Sequence, residues 1–304
     1  MNSNHFMRRR IIKYGSQSLL ASSLIHPIMT LPNMGNQLFS SDDITIQRVI
    51  DKIMEQIPGP KPFGTVDTIK TGNADQNVTG IVTTFLATVD VIKKAKWLGA
   101  NLIITHEPTF YNHRDETDWL EEDQVYQYKR NLLDENDIVV WRFHDFWHQY
   151  RPDGILTGFL KKLSWEDYLN PELENSCIIP KIGLKELAEH IKNQFQLSRT
   201  FYIGDAELSC SKVGILPGAW GGRAHIPFLG EDIDVLIVGE SAEWEAVEYV
   251  RDASCAGFKK GLIIMGHARS EEPGMVYLKE WLTPMFPNIS ISHIAAGDPL
   301  VPID

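Results

Sequence analysis

Histidine and carboxylate side chains stand together directly after three apolar runs of this sequence. The runs cover residues 102–105, 138–143 and 262–265, and each has the length and apolar composition of a buried strand. Pro108 follows the first histidine–glutamate pair and prevents regular structure from continuing. The polar residues after the three runs are His106 with Glu107, His144 with His148, and His267 with Glu271.

Imidazole and carboxylate groups in this combination suit zinc, iron or manganese. Thiolate ligands are not indicated, because Cys177, Cys210 and Cys255 form no closely spaced pair. Three histidines and two carboxylates exceed what one tetrahedral zinc ion takes, so they favour two divalent transition-metal ions that share a bridging oxygen. The expected metal ligands are His106, Glu107, His148, His267 and Glu271.

A single histidine at the end of a strand is more often an ordinary surface or hydrogen-bonded residue than a metal ligand. Three strands with the same pattern change this balance, because parallel strands of an α/β sheet bring their carboxyl ends to one edge. We therefore predict a metal centre at that edge.

His144 is open to more than one interpretation. It can be a ligand or the partner of a ligand, and it is the nearest candidate for proton transfer because histidine titrates near neutral pH. Asp145 is suited to orient a histidine through the ring nitrogen that faces away from the metal. His113, Asp115 and His293 are weaker candidates, which we expect to be surface or capping residues.

Apolar periodicities predict alternating strands and helices, and therefore an α/β fold. A helix is predicted over residues 44–57, and strands over residues 65–71 and 80–86. A helix that begins near residue 89 then leads to the strand before His106, and this spacing is typical of a βαβ unit with parallel strands. Further helices are predicted over residues 115–136, 154–163, 184–195, 242–255 and 273–282.

The order of these elements suggests a divided metal-binding domain. Residues 164–180 have no clear periodicity and are interpreted as a linker. We expect residues 41–165 and 241–304 to form the two parts of a metal-bearing α/β domain, with a second α/β section of residues 180–240 inserted between them.

The 304-residue chain is long enough to bury a large core, and its formal net charge is −11. Several of its basic residues are concentrated near the amino terminus, at residues 8–10 and Lys13. The remainder is thus more acidic still, which argues against nucleic acid as a partner, because phosphate binding needs clustered lysine and arginine.

Residues 1–40 resemble a twin-arginine export signal, with Arg8 and Arg9 followed by two more basic residues and a mildly apolar stretch. This predicts an exported, periplasmic protein; the alternative is a basic disordered tail on a cytoplasmic one. The apolar stretch is too short and too polar for a stable membrane span, and no other segment approaches the necessary length.

Other catalytic signatures are missing from the sequence. It has no G-x-S-x-G elbow and no G-x-G-x-x-G after a strand, which excludes the usual nucleophilic hydrolase and dinucleotide patterns. The glycine-rich residues 217–222 lack the GxxxxGK[ST] pattern and are not interpreted as a phosphate loop.

The sequence resembles the Nif-three-like family of dinuclear-metal proteins, some of which are called type-two GTP cyclohydrolases. Residues 80–108 resemble its first motif, and residues 266–271, a G-H-x-x-x-E, resemble its last and most specific one. Residues 184–195 and 234–240 resemble segments between them, and the likeness extends over about residues 44–299. The resemblance implies a hexameric, ring-shaped assembly whose metal sites face an internal cavity.

Two positions depart from the family pattern. The usual first motif has two histidines before the proline, and the second of these is Glu107 here. The middle motif is H-x-x-x-D, whereas His144 is followed at that spacing by His148. The two exchanges compensate, so the resemblance still implies a dinuclear site with three histidines and two carboxylates.

We expect a metal-dependent hydrolase that uses a metal-bound hydroxide to cleave a phosphoester, cyclic amide or similar bond of a small molecule. The alternative is a non-catalytic metal-binding or regulatory protein, and a structural or export-related partner protein ranks third. An open coordination position distinguishes a catalytic from a structural centre. GTP cyclohydrolase activity itself is less favoured, because no guanine or triphosphate site is recognisable.

Overall fold

The computed structural model describes residues 44–303. The export signal predicted within residues 1–40 lies outside this range. No helix between residues 44 and 303 is long and apolar enough to span a membrane. The described chain contains two five-stranded sheets and the helices that connect their strands, so the predicted α/β fold class is confirmed.

The strands and helices are numbered in chain order. The strands are β1 (Ile69–Thr71), β2 (Ile81–Thr84), β3 (Leu102–Thr105), β4 (Val139–Arg142), β5 (Ser176–Gly183), β6 (Phe201–Ile203), β7 (Ser209–Leu216), β8 (Val235–Val238), β9 (Gly261–Ile264) and β10 (Ile291–His293). The helices are α1 (Ile46–Met54), α2 (Val89–Trp97), α3 (Gln124–Asp134), α4 (Asp145–Gln149), α5 (Gly154–Leu163), α6 (Leu184–Phe195), α7 (Gly222–Gly230), α8 (Glu248–Cys255) and α9 (His267–Leu282).

Several helices begin at polar side chains that cap them. Thr45, Thr88, Asp123 and Asp153 accept hydrogen bonds from backbone amides in the first turns of α1, α2, α3 and α5. Helix α3 starts only after its cap, although the periodicity predicts a helix from residue 115. The charged residues before the cap form loops and one short 3₁₀ turn instead.

The first sheet has the strand order β1-β4-β3-β2-β10. Strands β4, β3, β2 and β10 are parallel, and β1 is antiparallel to β4. Thr105 at the end of β3 is in register with Arg142 at the end of β4. The segments after these two strands, which begin with His106 and Phe143, therefore leave the sheet side by side at its carboxyl edge.

The second sheet has the order β5-β7-β8-β9-β6, with β7, β8 and β9 parallel and the two outer strands antiparallel. Strand β9, which precedes His267, belongs to this sheet, so the prediction that all three histidine-bearing strands share one sheet was wrong. Helix α8 joins β8 directly to β9 as a crossover, and Leu236 is in register with Leu262. The predicted return to the first domain at residue 241 is therefore too early, because the chain returns only after Ile264.

Helices α5 and α9 pack against each other and connect the hydrophobic cores of the two sheets. Ile155 of α5 lies in the core of the first sheet, whereas Phe159 lies in the core of the second. The two helices approach closely because glycine faces glycine: a Cβ on Gly158 would lie 2.5 Å from the Cα of Gly274. The two sheets therefore belong to one compact unit, and the packing of α5 against α9 connects them.

Helix α9 begins at His267, although the sequence predicts its start at Pro273. Proline is common in the first turn of a helix, which makes residue 273 a reasonable starting point. In the structure Pro273 lies inside the helix, and Gly266 makes the turn from β9 with a φ of +99°. His267 and Glu271 are consequently separated by one helical turn, so they lie on one face.

Candidate metal centre

The turn after β3 holds His106 and Glu107 in the interior. His106 is fully buried, and Glu107 is 8% exposed. The hydroxyl of Thr105 lies 2.9 Å from the carbonyl oxygen of Phe85 and 3.0 Å from that of Glu107, which fixes the turn. The Nδ1 atom of His106 lies 3.3 Å from the carbonyl oxygen of Phe143, so its Nε2 atom is left for another partner.

Arg142, the last residue of β4, donates hydrogen bonds that hold this turn. Its side chain is completely buried, and its Nε donates a hydrogen bond of 3.0 Å to the carbonyl oxygen of His106. One terminal nitrogen donates to the carboxylate of Glu107 at 3.1 Å, and the other donates to the carbonyl oxygen of His113. One guanidinium therefore sets both the turn and the charge of Glu107.

The short helix α4 carries His144 at its N-cap and His148 in its last turn. The carboxylate of Asp67 accepts hydrogen bonds from three successive amides at its start: His144 at 2.8 Å, Asp145 at 3.0 Å and Phe146 at 2.8 Å. A five-residue helix is too short to be stable alone, so this cap determines where both histidines lie.

Carboxylates orient both histidine rings of this segment. The Nδ1 of His144 lies 2.9 Å from Oδ1 of Asp145, a contact that the sequence suggested. The Nδ1 of His148 lies 2.8 Å from Oδ2 of Asp153, which the sequence did not suggest. With Nδ1 engaged, each ring has its Nε2 available, as in histidines that bind metals.

The first turns of α9 add His267 and Glu271. The Nε2 of His267 lies 3.1 Å from Oε2 of Glu271, and its Nδ1 lies 3.6 Å from Oε2 of Glu240. Glu271 is 3% exposed. The third apolar run thus delivers its polar pair to the same place as the other two, although it does so from the second sheet.

All the sequence-predicted site residues come together in one cluster. Its members are His106, Glu107, His144, His148, His267 and Glu271. Possible ligand atoms of His106, His144 and His148 lie within 4.8 Å of one another, and so do those of His106, Glu107 and Glu271. His106 is common to both groups and lies between them.

The two cluster carboxylates are ionised. Burial by itself would raise the pKa of Glu107, but hydrogen bonds from His144 and His267 hold it far below its usual range. Burial likewise opposes ionisation of Glu271, and the neighbouring His106 and His267 lower its pKa. The cluster therefore has negative charge ready for a cation.

The pKa values of the cluster histidines are shifted in opposite directions. Burial lowers the pKa of His106, which favours the neutral ring that binds metals. Burial also disfavours charge on His144 and His267, but adjacent carboxylates outweigh it and raise their pKa values to about 9 and about 12. Without a metal, protons on these two rings compensate the carboxylates.

Two buried polar atoms point to a further occupant of the cluster. The Nε2 of His106 and the Oε2 of Glu271 are shielded from solvent and form no well-directed hydrogen bond within residues 44–303, although Nε2 of His267 lies 3.1 Å from that oxygen. They lie 3.6 Å from each other. Buried nitrogen and oxygen donors left without partners are costly unless a ligand satisfies them, and a divalent transition metal fits this set.

The model of the family described as Duf34/NIF3 (NGG1p interacting factor 3) matches residues 47–298. This chain belongs to the Duf34/NIF3 family. The GTP cyclohydrolase 1 type 2 homolog of Clostridium perfringens is 24% identical over 223 residues, which cover 69% of this chain and 79% of the relative. The family resemblance seen in the sequence is confirmed.

Solved structures of two bacterial proteins share the fold. The Bacillus cereus protein related to NIF3 has a TM-score of 0.69 and 14% identity, and the match covers 86% of this chain and 99% of that one. A Staphylococcus aureus hypothetical protein has a TM-score of 0.68 and 18% identity, with coverages of 85% and 99%. At these identities the likeness concerns the fold alone.

The two positions at which this NIF3 chain departs from the family motifs both lie in the cluster. Oε1 of Glu107 lies 3.4 Å from Nε2 of His144 and 3.6 Å from Nε2 of His267. The ring of His148 lies 5.0 Å from those of His106 and His144, centroid to centroid. Both residues can thus supply a ligand atom.

The weaker sequence candidates lie outside the cluster. Asp115 pairs with Lys70 at 3.3 Å. The Nε2 of His293 lies 3.2 Å from Oε1 of Glu272. His113 is exposed, and its ring centroid lies 6.1 Å from that of His144.

The glycine-rich turn after β7 contacts the cluster, a contact that the sequence analysis did not predict. The amide of Gly218 donates a hydrogen bond of 2.9 Å to Oγ of Ser270, and its carbonyl oxygen accepts one of 2.9 Å from the amide of Glu240. A Cβ at this position would overlap Oε1 of Glu271. The signal in the sequence was the glycine-rich run itself, which serves close approach rather than phosphate binding.

Gly218→Ala is expected to weaken metal binding by at least about tenfold, because the new methyl group displaces the Glu271 carboxylate. Gly221→Ala is the matched control. Both glycines have positive φ, +81° and +75°, so both variants carry backbone strain. Only Gly218 lies against Glu271. Metal titration and urea unfolding of both variants separate the two effects, and equal metal affinities would contradict the assignment of Glu271.

A cavity of about 910 Å³ opens beside the cluster. Glu107 and His267 belong to its wall, as do His113 and the apolar side chains of Phe85 and Met265. The cluster is therefore buried on one side and accessible to a small molecule on the other.

Proposed function

We propose that this NIF3 protein is a metal-dependent hydrolase of a small molecule, with a centre of two divalent transition-metal ions. The ions are zinc, iron or manganese, and the residues that hold them are His106, Glu107, His144, His148, His267 and Glu271. The observation that carries the proposal is the opening of this cluster, through Glu107 and His267, into a cavity of about 910 Å³.

The donor set is large enough for two ions, because its six residues exceed the four ligands that one tetrahedral zinc ion takes. Divalent transition metals at such a site lower the pKa of water and polarise an oxygen of the substrate. The protein supplies the ionised carboxylates of Glu107 and Glu271, whose pKa values the neighbouring histidines lower, and Arg142 donates a hydrogen bond to Glu107. It also supplies the cavity, which admits a substrate to one side of the centre only.

Proton transfer is assigned to His113 rather than to His144, the residue expected from sequence. The Nε2 of His144 lies among the possible ligand atoms, and its Nδ1 is held by Asp145. His113 lines the cavity. Burial and the nearby charge of Arg142 lower the pKa of its ring, which is thus neutral at pH 7 and able to accept a proton.

The alternative, a non-catalytic metal-binding or regulatory protein, uses the same donors. It predicts bound metal without turnover. Variants that keep all the metal ligands therefore distinguish the two functions, because only the hydrolase can lose turnover while it retains its metal.

The test uses metal-loaded wild type, His113→Gln and His190→Gln. Hydrolysis is measured on a panel of chromogenic phosphoesters and cyclic amides, with metal content determined in parallel. We expect His113→Gln to keep its metal and to lose roughly 100-fold in rate. His190 stacks on Trp165 away from the cluster, so His190→Gln is the matched control. This variant should leave the metal content and the rate unchanged. Bound metal without hydrolysis of any probe would favour the non-catalytic alternative.

Assembly and destination complete the proposal. We propose a homohexamer on the basis of the family resemblance, and export through the twin-arginine-type signal within residues 1–40. Mass photometry of the full chain and fractionation of producing cells test these two points.

A further inference from the structure

Two arginines in the cavity wall have no partner among the residues that the structure describes. Arg199 and Arg269 are both half-buried, and neither forms a hydrogen bond or ion pair with any residue between 44 and 303. The Nε of Arg269 is shielded from solvent and unsatisfied. Arg142, by contrast, uses three nitrogens on three acceptors.

The pairing of β6 with β9 brings these arginines to the same end of the cavity. Phe201 is in register with Ile264 in an antiparallel pair, so the start of β6 lies beside the end of β9. Arg199 precedes β6 by two residues, and Arg269 follows the end of β9 in the first turn of α9. Both therefore belong to one corner of the wall.

The acidic residues of the wall do not neutralise this corner. Glu240 faces His267, at 3.6 Å from its Nδ1. The Oδ1 of Asp298 accepts a hydrogen bond of 3.0 Å from the amide of Leu300. Neither carboxylate lies within ion-pair distance of an arginine among the residues described.

A guanidinium that is partly removed from water needs acceptors, and its planar fork matches a phosphate or carboxylate group. The rest of the wall includes aromatic and apolar side chains, among them Phe85, Phe201 and Met265. Such a wall suits a ligand with an apolar or aromatic body and a charged end.

Resting on the function proposed above, we infer that the substrate is a small organic anion. Its phosphate or carboxylate group binds Arg199 and Arg269, its apolar body lies along the cavity wall, and its other end reaches the cluster at Glu107 and His267. The two arginines thus determine specificity and are not themselves metal ligands.

Calorimetric titration of the metal-loaded protein tests this inference with three probes that share an aromatic ring. Phenylphosphonate, which has no ester bond to hydrolyse, and phenylacetate carry the two candidate anions, and benzyl alcohol carries none. At least one anion should bind, and the alcohol should bind at least about tenfold more weakly. Whichever anion binds more tightly identifies the charged group.

Substitutions of the two arginines test whether the anion binds at this corner of the cavity. Arg199→Gln and Arg269→Gln should each weaken anion binding about tenfold, while metal content stays at the wild-type level. Arg48→Gln is the matched control, because Arg48 is exposed and pairs with Glu55 at 3.0 Å outside the cavity. Arg199→Lys keeps the charge without the fork and should bind with intermediate affinity. Arg269 is close in sequence to two ligands, so the Arg199 variants carry the test if Arg269→Gln disturbs folding.

Anion affinity unchanged in the arginine variants would overturn the inference. If binding is instead lost only in His267→Ala with Glu271→Ala, the anion binds at the metal, and the hydrolase proposal is unaffected. Arginine-dependent anion binding by a protein that takes up no metal would support the anion site and refute the proposed metal centre.

Discussion

The double variant His267→Ala with Glu271→Ala is expected to lose its bound transition metal. It removes one donor from the accessible side of the cluster and one from its buried centre, where Oε2 of Glu271 lies 3.1 Å from His267 and 3.6 Å from His106. Changes to residues that merely support a ligand already weaken metal binding by about 10–100-fold. Removing two ligands should exceed that.

Elemental mass spectrometry of purified protein measures the effect. About two transition-metal ions per chain are expected in wild type, the number proposed above from the six possible ligands. Glu186→Ala with His190→Ala is the matched control, because it removes the same residue types at the same helical spacing on α6, outside the cluster. A folded wild-type protein that contains no metal and refuses added zinc and manganese would refute the site.

The second large effect is expected from Arg142→Met. The variant removes the buried guanidinium that pairs with the carboxylate of Glu107, and it leaves the carbonyl oxygens of His106 and His113 without their donor. Removing one partner of a buried charged pair destabilises proteins by about 3–5 kcal/mol. We expect a loss of that size in the free energy of unfolding of the metal-free protein.

Urea unfolding measures this loss, with Arg130→Met as the control. Arg130 forms an exposed pair with Asp134 at 2.9 Å, and such surface pairs contribute only about 0.3–0.5 kcal/mol. Arg142→Lys keeps the charge but cannot donate to all three acceptors in the same geometry. Its free energy of unfolding should therefore lie between those of Arg142→Met and Arg130→Met. If Arg142→Met unfolds at the same urea concentration as Arg130→Met, the arginine does not hold the turn as described.

Much of the site could be predicted from the sequence because each ligand pair comes after an apolar strand. The end of a buried strand is visible in a pattern of residues such as 102–105, and the next residues of the chain must emerge at the edge of a sheet. The predictions for His106, His148 and His267 needed nothing more. The sequence could not say which sheet the strand before His267 would join, since that depends on the pairing of β9 with β8.

The supporting residues were out of reach for a different reason. Asp67 caps α4 from more than seventy residues away. Arg142 is the last residue of β4, and nothing in its local sequence indicates that its side chain binds the turn after β3. Their roles arise from contacts between distant segments, which no local pattern records. Gly218 left a trace in the glycine-rich run, but a lack of side chains does not reveal which carboxylate approaches.

The ring partners of His106, His144 and His148 have an electronic consequence. His106 is backed by a neutral carbonyl oxygen at 3.3 Å, whereas His144 and His148 are backed by carboxylates at 2.9 and 2.8 Å. A carboxylate partner raises the basicity of a ligating imidazole. His144 and His148 should thus each bind a metal ion more strongly than His106 does, and part of the affinity of the cluster comes from Asp145 and Asp153, which touch no metal themselves.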